Sequence, residues 1–224
     1  MTFQAPEATN RQRNRATYAA FTTHIERLCR TDPGARAALR AGLRRDLDHP
    51  RTRPMHRLLT PRLPEGCNDT TAQAHYTVAS LIAAQPRHAF SPDQKDDEDT
   101  AHEHETAESH APNEEGEPAE EAAPPGPSPY GSSFGGTLGQ AVTVKGKPMR
   151  MSAAESRINL LTRQSLRGIH LHLPAAVNQV RTTGVFIDWG QLLADLVDWQ
   201  YQSGRISRRW LQDFYRITAG ADRD

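Results

Sequence analysis

The sequence has few cysteines and none of the short motifs that mark common enzymes, and these absences exclude several classes of protein. Cys29 and Cys67 are the only two cysteines among 224 residues, and they do not form a CxxC pair. The chain also lacks a glycine-rich nucleotide loop, an HExxH metal motif and a GxSxG nucleophile motif. We therefore expect no enzymatic activity, no cofactor and no metal site.

Long apolar runs are also missing. A membrane-spanning helix needs about 20 consecutive apolar residues, and the longest predominantly apolar run covers only residues 78–84. The N-terminus has no apolar stretch of the kind found in a secretory signal peptide. Two unpaired cysteines are typical of proteins in a reducing compartment. These features predict a cytoplasmic protein without membrane contact.

The charge of the chain is balanced in total but strongly uneven along its length. Basic and acidic residues each number 27. Between Asp93 and Glu121, however, there are 13 acidic residues and only one basic residue, Lys95, so the rest of the chain carries a formal charge of about +12. A basic, arginine-rich remainder is suited to a polyanionic partner.

The acidic stretch divides the chain into predicted units. Residues 91–134 are acidic and then rich in proline, glycine and serine, with too little apolar surface to offset the entropy cost of ordering. We predict an all-α protein of two small helical bundles, residues 14–90 and 135–218, joined by a disordered acidic linker over residues 91–134. One hypothesis is that residues 93–121 compete with nucleic acid for the basic surface.

In the first unit, Asp32-Pro33 predicts the start of a helix, because the carboxylate can cap it and proline needs no hydrogen-bond partner at the first position. We expect this helix to continue to Leu47. Arginines recur along it at a spacing of four, with one more beside them: Arg36, Arg40, Arg44 and Arg45. Like charges at this spacing repel. Both a phosphate-facing surface and a simply solvated one remain open as explanations.

The second unit ends in a predicted helical hairpin over residues 184–217. Asp188 is placed to cap the first helix, with Gln191 able to bond back to it, and Gly204 is a plausible end. A preceding helix is expected to start at Pro174. The two hairpin helices carry apolar stripes at helical spacing, so they should pack antiparallel; the stripes are Trp189, Leu192, Leu193, Leu196 and Trp199, then Ile206, Trp210, Phe214 and Ile217.

The second hairpin helix is positively charged outside its apolar stripe. It contains Arg205, Arg208, Arg209 and Arg216, and Asp213 is its one acidic residue. A solvated surface usually mixes charges of both signs, so a surface that faces phosphate is one interpretation and solubility is the other.

These segments carry a family resemblance. The ordered words IDW, LL, DL and W, followed by RRW and DFYR, resemble the C-terminal end of the CasB family, the small subunit of the type I-E CRISPR interference complex, Cascade. In the first unit, PGARAALRAGL and MHRLL are similar to an arginine-rich helix of that family and the short helix after it. The resemblance covers residues 14–85 and 131–217.

The resemblance implies a non-catalytic subunit in antiviral defence that binds nucleic-acid backbone and stabilises the R-loop between guide RNA and target DNA. Its partners would be other Cascade subunits, the guide RNA–target DNA heteroduplex, the displaced DNA strand and a second copy of itself. Such contacts to phosphates are largely independent of sequence and depend strongly on salt. The predicted nucleic-acid-binding residues are Arg40, Arg44, Arg45, Arg57, Arg157, Arg163, Arg205, Arg208 and Arg209.

Two other functions are compatible with the sequence. A protein–protein adaptor would use the helices to dock a partner. A free-standing DNA-binding regulator would need a recognition helix with base-reading side chains after a tight turn, whereas the predicted hairpin has a longer turn and tryptophans on its main stripe.

Overall fold

The computed structural model describes residues 5–86 and 131–221, with side chains from Arg15 onward. These ranges are helical and contain no strand, which confirms the predicted all-α class for this part of the chain. The predicted linker lies outside the described residues except for its last four positions. The helices are α1 Ala5–Thr31, α2 Pro33–Arg40, α3 Arg53–Leu59, α4 Asp69–Ala83, α5 Phe134–Thr143, α6 Met151–Thr162, α7 Leu166–Arg181 and α8 Trp189–Ala221.

Two predicted helix starts are confirmed. The Asp32 carboxylate accepts a hydrogen bond from the Ala35 N–H at 2.9 Å, ahead of Pro33. The Asp188 carboxylate accepts one from the Gln191 N–H at 2.8 Å. The Gln191 side chain, however, does not bond back to the cap; it donates instead to Asp195 at 2.7 Å. The Gln191 side-chain amide, which the capping pattern predicts to bond back to Asp188, is therefore bound by the Asp195 carboxylate one turn further into α8.

The arginine-rich helix is shorter than predicted. α2 ends at Arg40, and Arg44 has a left-handed backbone conformation with φ of 60°, so Arg44 does not continue a helical stripe. The chain is packed closely at Gly42, where an added Cβ would lie 2.9 Å from both the Met55 Cε and the Ser80 Oγ atoms. This approach to α3 and α4 suits a residue without a side chain at position 42.

The proline prediction in the second unit was wrong in position. Pro174 lies inside α7 rather than at its start, and Ser165 caps that helix by accepting a hydrogen bond from the Gly168 N–H at 3.3 Å. Pro174 is buried, so its ring adds to the core although proline cannot donate the helical hydrogen bond.

The predicted antiparallel hairpin is present within α8. Helical geometry is interrupted at Gln202, with φ of −133° and ψ of 23°, two residues before the predicted end at Gly204. The Trp199 and Trp210 rings lie 5.3 Å apart between centroids, and the Trp210 indole N–H donates to Asp195 at 2.6 Å. A straight helix would separate residues 195 and 210 by about 22 Å, so the chain must fold back.

Helices α5 and α8 pack closely at a glycine. A Cβ on Gly135 would lie 2.6 Å from the Trp210 Cα atom and closer still to the Trp210 carbonyl group. The Phe134 and Trp210 rings meet beside this point, 5.6 Å apart between centroids. The glycine therefore sets how closely the two helices can approach.

Helices before and after the acidic segment share one hydrophobic core. α1 and α4 pack against α8, and the Ala19 Cα atom would lie 3.3 Å from a Cβ placed on Gly190. Buried apolar residues from both sides form a continuous cluster that includes Ile25, Leu81 and Trp199. The division of the chain at the acidic segment stays a prediction.

Candidate nucleic-acid interface

The nine predicted arginines lie on five parts of the fold, and most of them are exposed. Six are exposed, and Arg45, Arg157 and Arg209 are half-buried. Within the described residues, Arg209 is the one member of the set that pairs with a carboxylate. The exposed members are Arg40 at the end of α2, Arg44 in the next turn, Arg57 in α3, Arg163 after α6, and Arg205 and Arg208 in the second arm of α8.

The end of α6 and the second arm of α8 bring three of these arginines to one region. The Ser207 hydroxyl donates to the Thr162 carbonyl oxygen at 3.1 Å. Arg163 immediately follows Thr162, Arg208 immediately follows Ser207, and Arg205 precedes Ser207 by two positions. Three exposed arginines therefore lie within two residues of this contact between α6 and α8, and the Arg205 side chain donates to Gln202 at 3.4 Å.

Arg45 has a structural task in the turn after α2. Its guanidinium group donates to the Ala41 carbonyl oxygen at 2.9 Å and lies 2.8 Å from the His49 ring. Its carbonyl oxygen accepts a hydrogen bond from Gln73 at 3.0 Å. Arg45 is therefore held by the turn, whereas its exposed neighbour Arg44 is available to solvent.

Arg157 links two helices through a neutral partner. Its guanidinium Nε donates to the Gln179 side-chain oxygen at 2.7 Å, which joins α6 to α7. The contact leaves the positive charge of Arg157 without compensation, because an amide oxygen carries no formal charge.

Arg209 is the counter-charge of a buried acid. It pairs with Asp195, whose side chain is only 3% exposed and also accepts hydrogen bonds from Gln191 and Trp210. Burial raises the pKa of Asp195, and the Arg209 charge with these hydrogen bonds opposes that rise. In this chain Arg209 therefore locks the two arms of α8 together.

Arg181, the last residue of α7, is a basic residue that the sequence reasoning did not select. Burial lowers the pKa of the Arg181 guanidinium, and the positive charges of Arg40 and Arg36 lower it further. Arg36 itself donates to the carbonyl oxygens of Ala83, at 3.2 Å, and Gln85 at the end of α4. The sequence signal for Arg181 is only a basic residue in a last helical turn.

The His170 side chain in α7 is packed into the fold. His170 is 8% exposed, and burial lowers its pKa to about 4 although Asp46 opposes the shift.

Within residues 5–86 and 131–221, no group of His, Cys, Asp and Glu side chains is arranged to hold a metal ion. No helix in those ranges is long and apolar enough to span a bilayer.

The fold and surface define a class of protein: a small all-α bundle that holds a tryptophan-rich hairpin and displays exposed arginines from several helices. A family model described as CRISPR-associated protein Cse2 matches residues 35–215. The chain belongs to this family, for which CasB is another name.

Solved structures with the same fold are also related in sequence. One, described as a CRISPR RNA-guided surveillance complex, has a chain that is 29% identical with a TM-score of 0.71, and the match covers 94% of this chain and 98% of that one. Another, described as a CRISPR RNA-guided surveillance complex, pre-nicking, is 31% identical with a TM-score of 0.70, covering 93% and 97%. No curated protein matches the chain.

Proposed function

We propose that this chain is the non-catalytic small subunit of a type I-E CRISPR Cascade complex and binds nucleic-acid backbone to stabilise the R-loop. The observation that carries the proposal is the exposure of the predicted arginines. Six of the nine are exposed, and in the described part of the chain only Arg209 pairs with a carboxylate. Family membership and the two related surveillance complexes support the assembly.

The mechanism follows from the energetics of strand exchange. R-loop formation replaces a DNA duplex by an RNA–DNA duplex of similar stability, so modest contacts to the backbone can shift the balance. Each arginine that neutralises a phosphate releases condensed counterions, which changes the slope of log K against log salt by about 0.9 for duplex and 0.7 for single-stranded nucleic acid. Arginine suits this task because its planar fork binds phosphate through two parallel hydrogen bonds.

The partners in this proposal are the other Cascade subunits, the guide RNA–target DNA heteroduplex, the displaced DNA strand and a second copy of the chain. The place of action is the cytoplasm, where these nucleic acids meet. Predicted residues on the exposed surface of α8 and after α6 are the first to examine, because Arg163, Arg205 and Arg208 lie in one region.

The test uses a reconstituted complex that contains either the wild-type chain or the double variant Arg205→Gln/Arg208→Gln. R-loop formation is measured as a function of salt concentration. We expect the double variant to weaken R-loop formation and to make the salt slope less steep by about one to two. Arg216→Gln is the matched control, since Arg216 lies on the same arm but pairs with Asp213 at 3.0 Å.

Incorporation of each variant into the complex is checked by size-exclusion chromatography. If the double variant assembles normally and its salt slope equals that of the control, these arginines do not bind phosphate. A complex that forms R-loops equally well without the subunit would remove the proposed function altogether.

The two other functions considered from the sequence have less support. A free-standing regulator needs a helix that presents base-reading residues, whereas the first arm of α8 buries Trp189, Leu192 and Trp199 in the core. An adaptor without nucleic-acid contact would leave the exposed arginines without a partner.

A further inference from the structure

A cavity lies where the beginning of α7 meets helix α4 and the turn after α2. Its volume is about 140 Å³, well above the roughly 10–15 Å³ that a single water molecule needs. The residues that line it come from both sides of the acidic segment: Asp46, Gln73, Leu166, Arg167 and His170. The cavity therefore exists only when the two parts of the chain pack together. We call it the α7 pocket.

His170 is the buried wall of the α7 pocket, and its hydrogen-bonding capacity is unused. The residue is 8% exposed, and both ring nitrogens, Nδ1 and Nε2, are buried without a hydrogen-bond partner among the described residues. A neutral imidazole carries one N–H donor and one acceptor nitrogen. Leaving buried polar groups unpaired costs free energy, and a ligand that both donates and accepts would recover it.

The other polar groups of the α7 pocket already have partners. The Gln73 side chain is held by backbone groups of the turn after α2, with hydrogen bonds of 3.1 and 3.0 Å. Arg167 pairs with Asp46 at 3.2 Å at the rim, where both side chains are exposed. Burial keeps His170 neutral near pH 7, because it lowers the pKa of the ring to about 4. The pocket therefore carries no net charge.

These groups suit a small, uncharged ligand. A carboxylate would compete with Asp46 for Arg167, and a cation would compete with Arg167 for Asp46. A metal ion needs more ligands than the pocket offers, because no group of at least three His, Cys, Asp and Glu side chains in the described ranges could hold one. An apolar ligand would leave the His170 nitrogens unpaired. A primary carboxamide meets these conditions, since its carbonyl oxygen accepts and its NH₂ group donates.

We propose that the α7 pocket is a binding site for a primary carboxamide group, with His170 as its buried hydrogen-bonding partner. The ring donates to the carbonyl oxygen or accepts from the NH₂ group according to its tautomer. The carboxamide comes either from a free small amide or from an asparagine or glutamine side chain of a neighbouring subunit. The site rests on the cavity and on His170, whereas the neighbouring subunit as a source rests on the proposed function.

The first experiment titrates the full, isotope-labelled chain with acetamide and follows the histidine ring nitrogens by NMR. We expect the His170 ring signals to shift and to saturate with a Kd on the order of millimolar, as befits a ligand of so few atoms. Acetate and acetamidinium have the same planar shape but carry a negative and a positive charge. Each should bind at least about tenfold more weakly than acetamide, because a buried charge without a free partner is costly.

His172 is the internal control for this titration, because it lies two residues further along α7 and does not line the pocket. If the His170 signals do not saturate, or if they move together with those of His172, the pocket holds ordered water only and the inference is wrong. Equal affinities for acetamide, acetate and acetamidinium would also overturn it. These comparisons use the wild-type chain, so they do not depend on the folding of a variant.

A matched pair of substitutions locates the binding. Leu166→Phe enlarges a half-buried wall of the α7 pocket and should weaken acetamide binding at least about tenfold. Leu171→Phe makes the same change on the same helix, at a residue that is 49% exposed and outside the pocket. It should bind acetamide like the wild type. Equal affinities for two folded variants would show that acetamide binds elsewhere and would overturn the inference.

The second experiment identifies the source of the carboxamide. Retention of the chain in the reconstituted complex is measured by size-exclusion chromatography with saturating acetamide, with acetate at the same concentration as the control. If a neighbouring side chain fills the pocket, acetamide and Leu166→Phe should both reduce retention, and acetate and Leu171→Phe should not. Unchanged retention, with acetamide binding intact, assigns the site to a free small amide. R-loop formation is tested separately with the arginine variants, so a failure of the proposed function leaves the acetamide result standing.

Discussion

Replacing Gly135 by alanine tests whether the close approach of α5 to α8 determines the position of the hairpin. The added methyl group would lie 2.6 Å from the Trp210 Cα atom and still closer to its carbonyl group, and backbone cannot move aside as a flexible side chain can. Overpacking of this kind costs about 1–3 kcal/mol. Alanine returns up to about 1 kcal/mol through helix propensity. Because the clash is with backbone, the cost lies at the upper end of that range, about 3 kcal/mol, and we expect Gly135→Ala to lower the free energy of unfolding by about 2 kcal/mol after the gain of about 1 kcal/mol in helix propensity.

The adjacent residue provides the control. A Cβ on Gly136 would have its nearest neighbours, Ile217 Cδ1 and Ser133 Oγ, at 3.6 Å, which is ordinary van der Waals contact. Gly136→Ala should therefore be neutral or stabilising, by up to about 1 kcal/mol. The two substitutions are chemically identical and lie in the same helical turn, so their difference isolates the contact with Trp210.

The assay is the thermal unfolding of both variants and the wild type, followed by circular dichroism. For a chain of this size, each kcal/mol corresponds to about 2–4 °C in Tm. Gly135→Ala should then lower Tm by about 4–8 °C, and Gly136→Ala should leave it unchanged or raise it slightly. Equal shifts in the same direction for the two variants would refute the argument that Gly135 sets the spacing of α5 and α8.

Three further predictions concern a buried acid, a buried base and the acidic segment. Asp195→Ala leaves two buried donors and a partly exposed guanidinium group without their acceptor, so urea unfolding should show a loss of about 3 kcal/mol in the free energy of unfolding. The control Asp46→Asn breaks an exposed ion pair and should cost under about 1 kcal/mol. Similar losses for the two variants would contradict this account. Burial lowers the pKa of His170 to about 4 in the folded chain, so as the pH falls the unfolded chain takes up a proton on His170 before the folded chain does. Stability should therefore fall as the pH drops from about 6.5 to about 4, and His170→Leu should lose stability less steeply than the wild type over that interval. Parallel pH profiles for the two proteins would show that His170 is not held neutral. Deletion of residues 93–121 should tighten nucleic-acid binding at low salt if these acidic residues compete for the basic surface, and unchanged affinity would reject the competition.

The glycines of the second unit show how far local sequence can be interpreted. The segment SSFGGTLG contains three glycines, yet glycine alone does not say which of its neighbours must come close. Only the packed structure distinguishes Gly135, which faces the Trp210 backbone, from Gly136, which has room for a methyl group. That difference depends on Trp210 in α8, which lies 75 residues after Gly135 in the chain.

The sequence by itself determined the helix starts at Asp32 and Asp188 and the antiparallel pairing of the two apolar stripes, because caps and periodicity act over a few residues. The tertiary structure decided where the arginines lie. α2 ends at Arg40 and Arg44 leaves the helical conformation, and Arg209 meets Asp195 because α8 folds back. Charges separated by long stretches of chain meet only after the helices pack, and no local pattern encodes that distance.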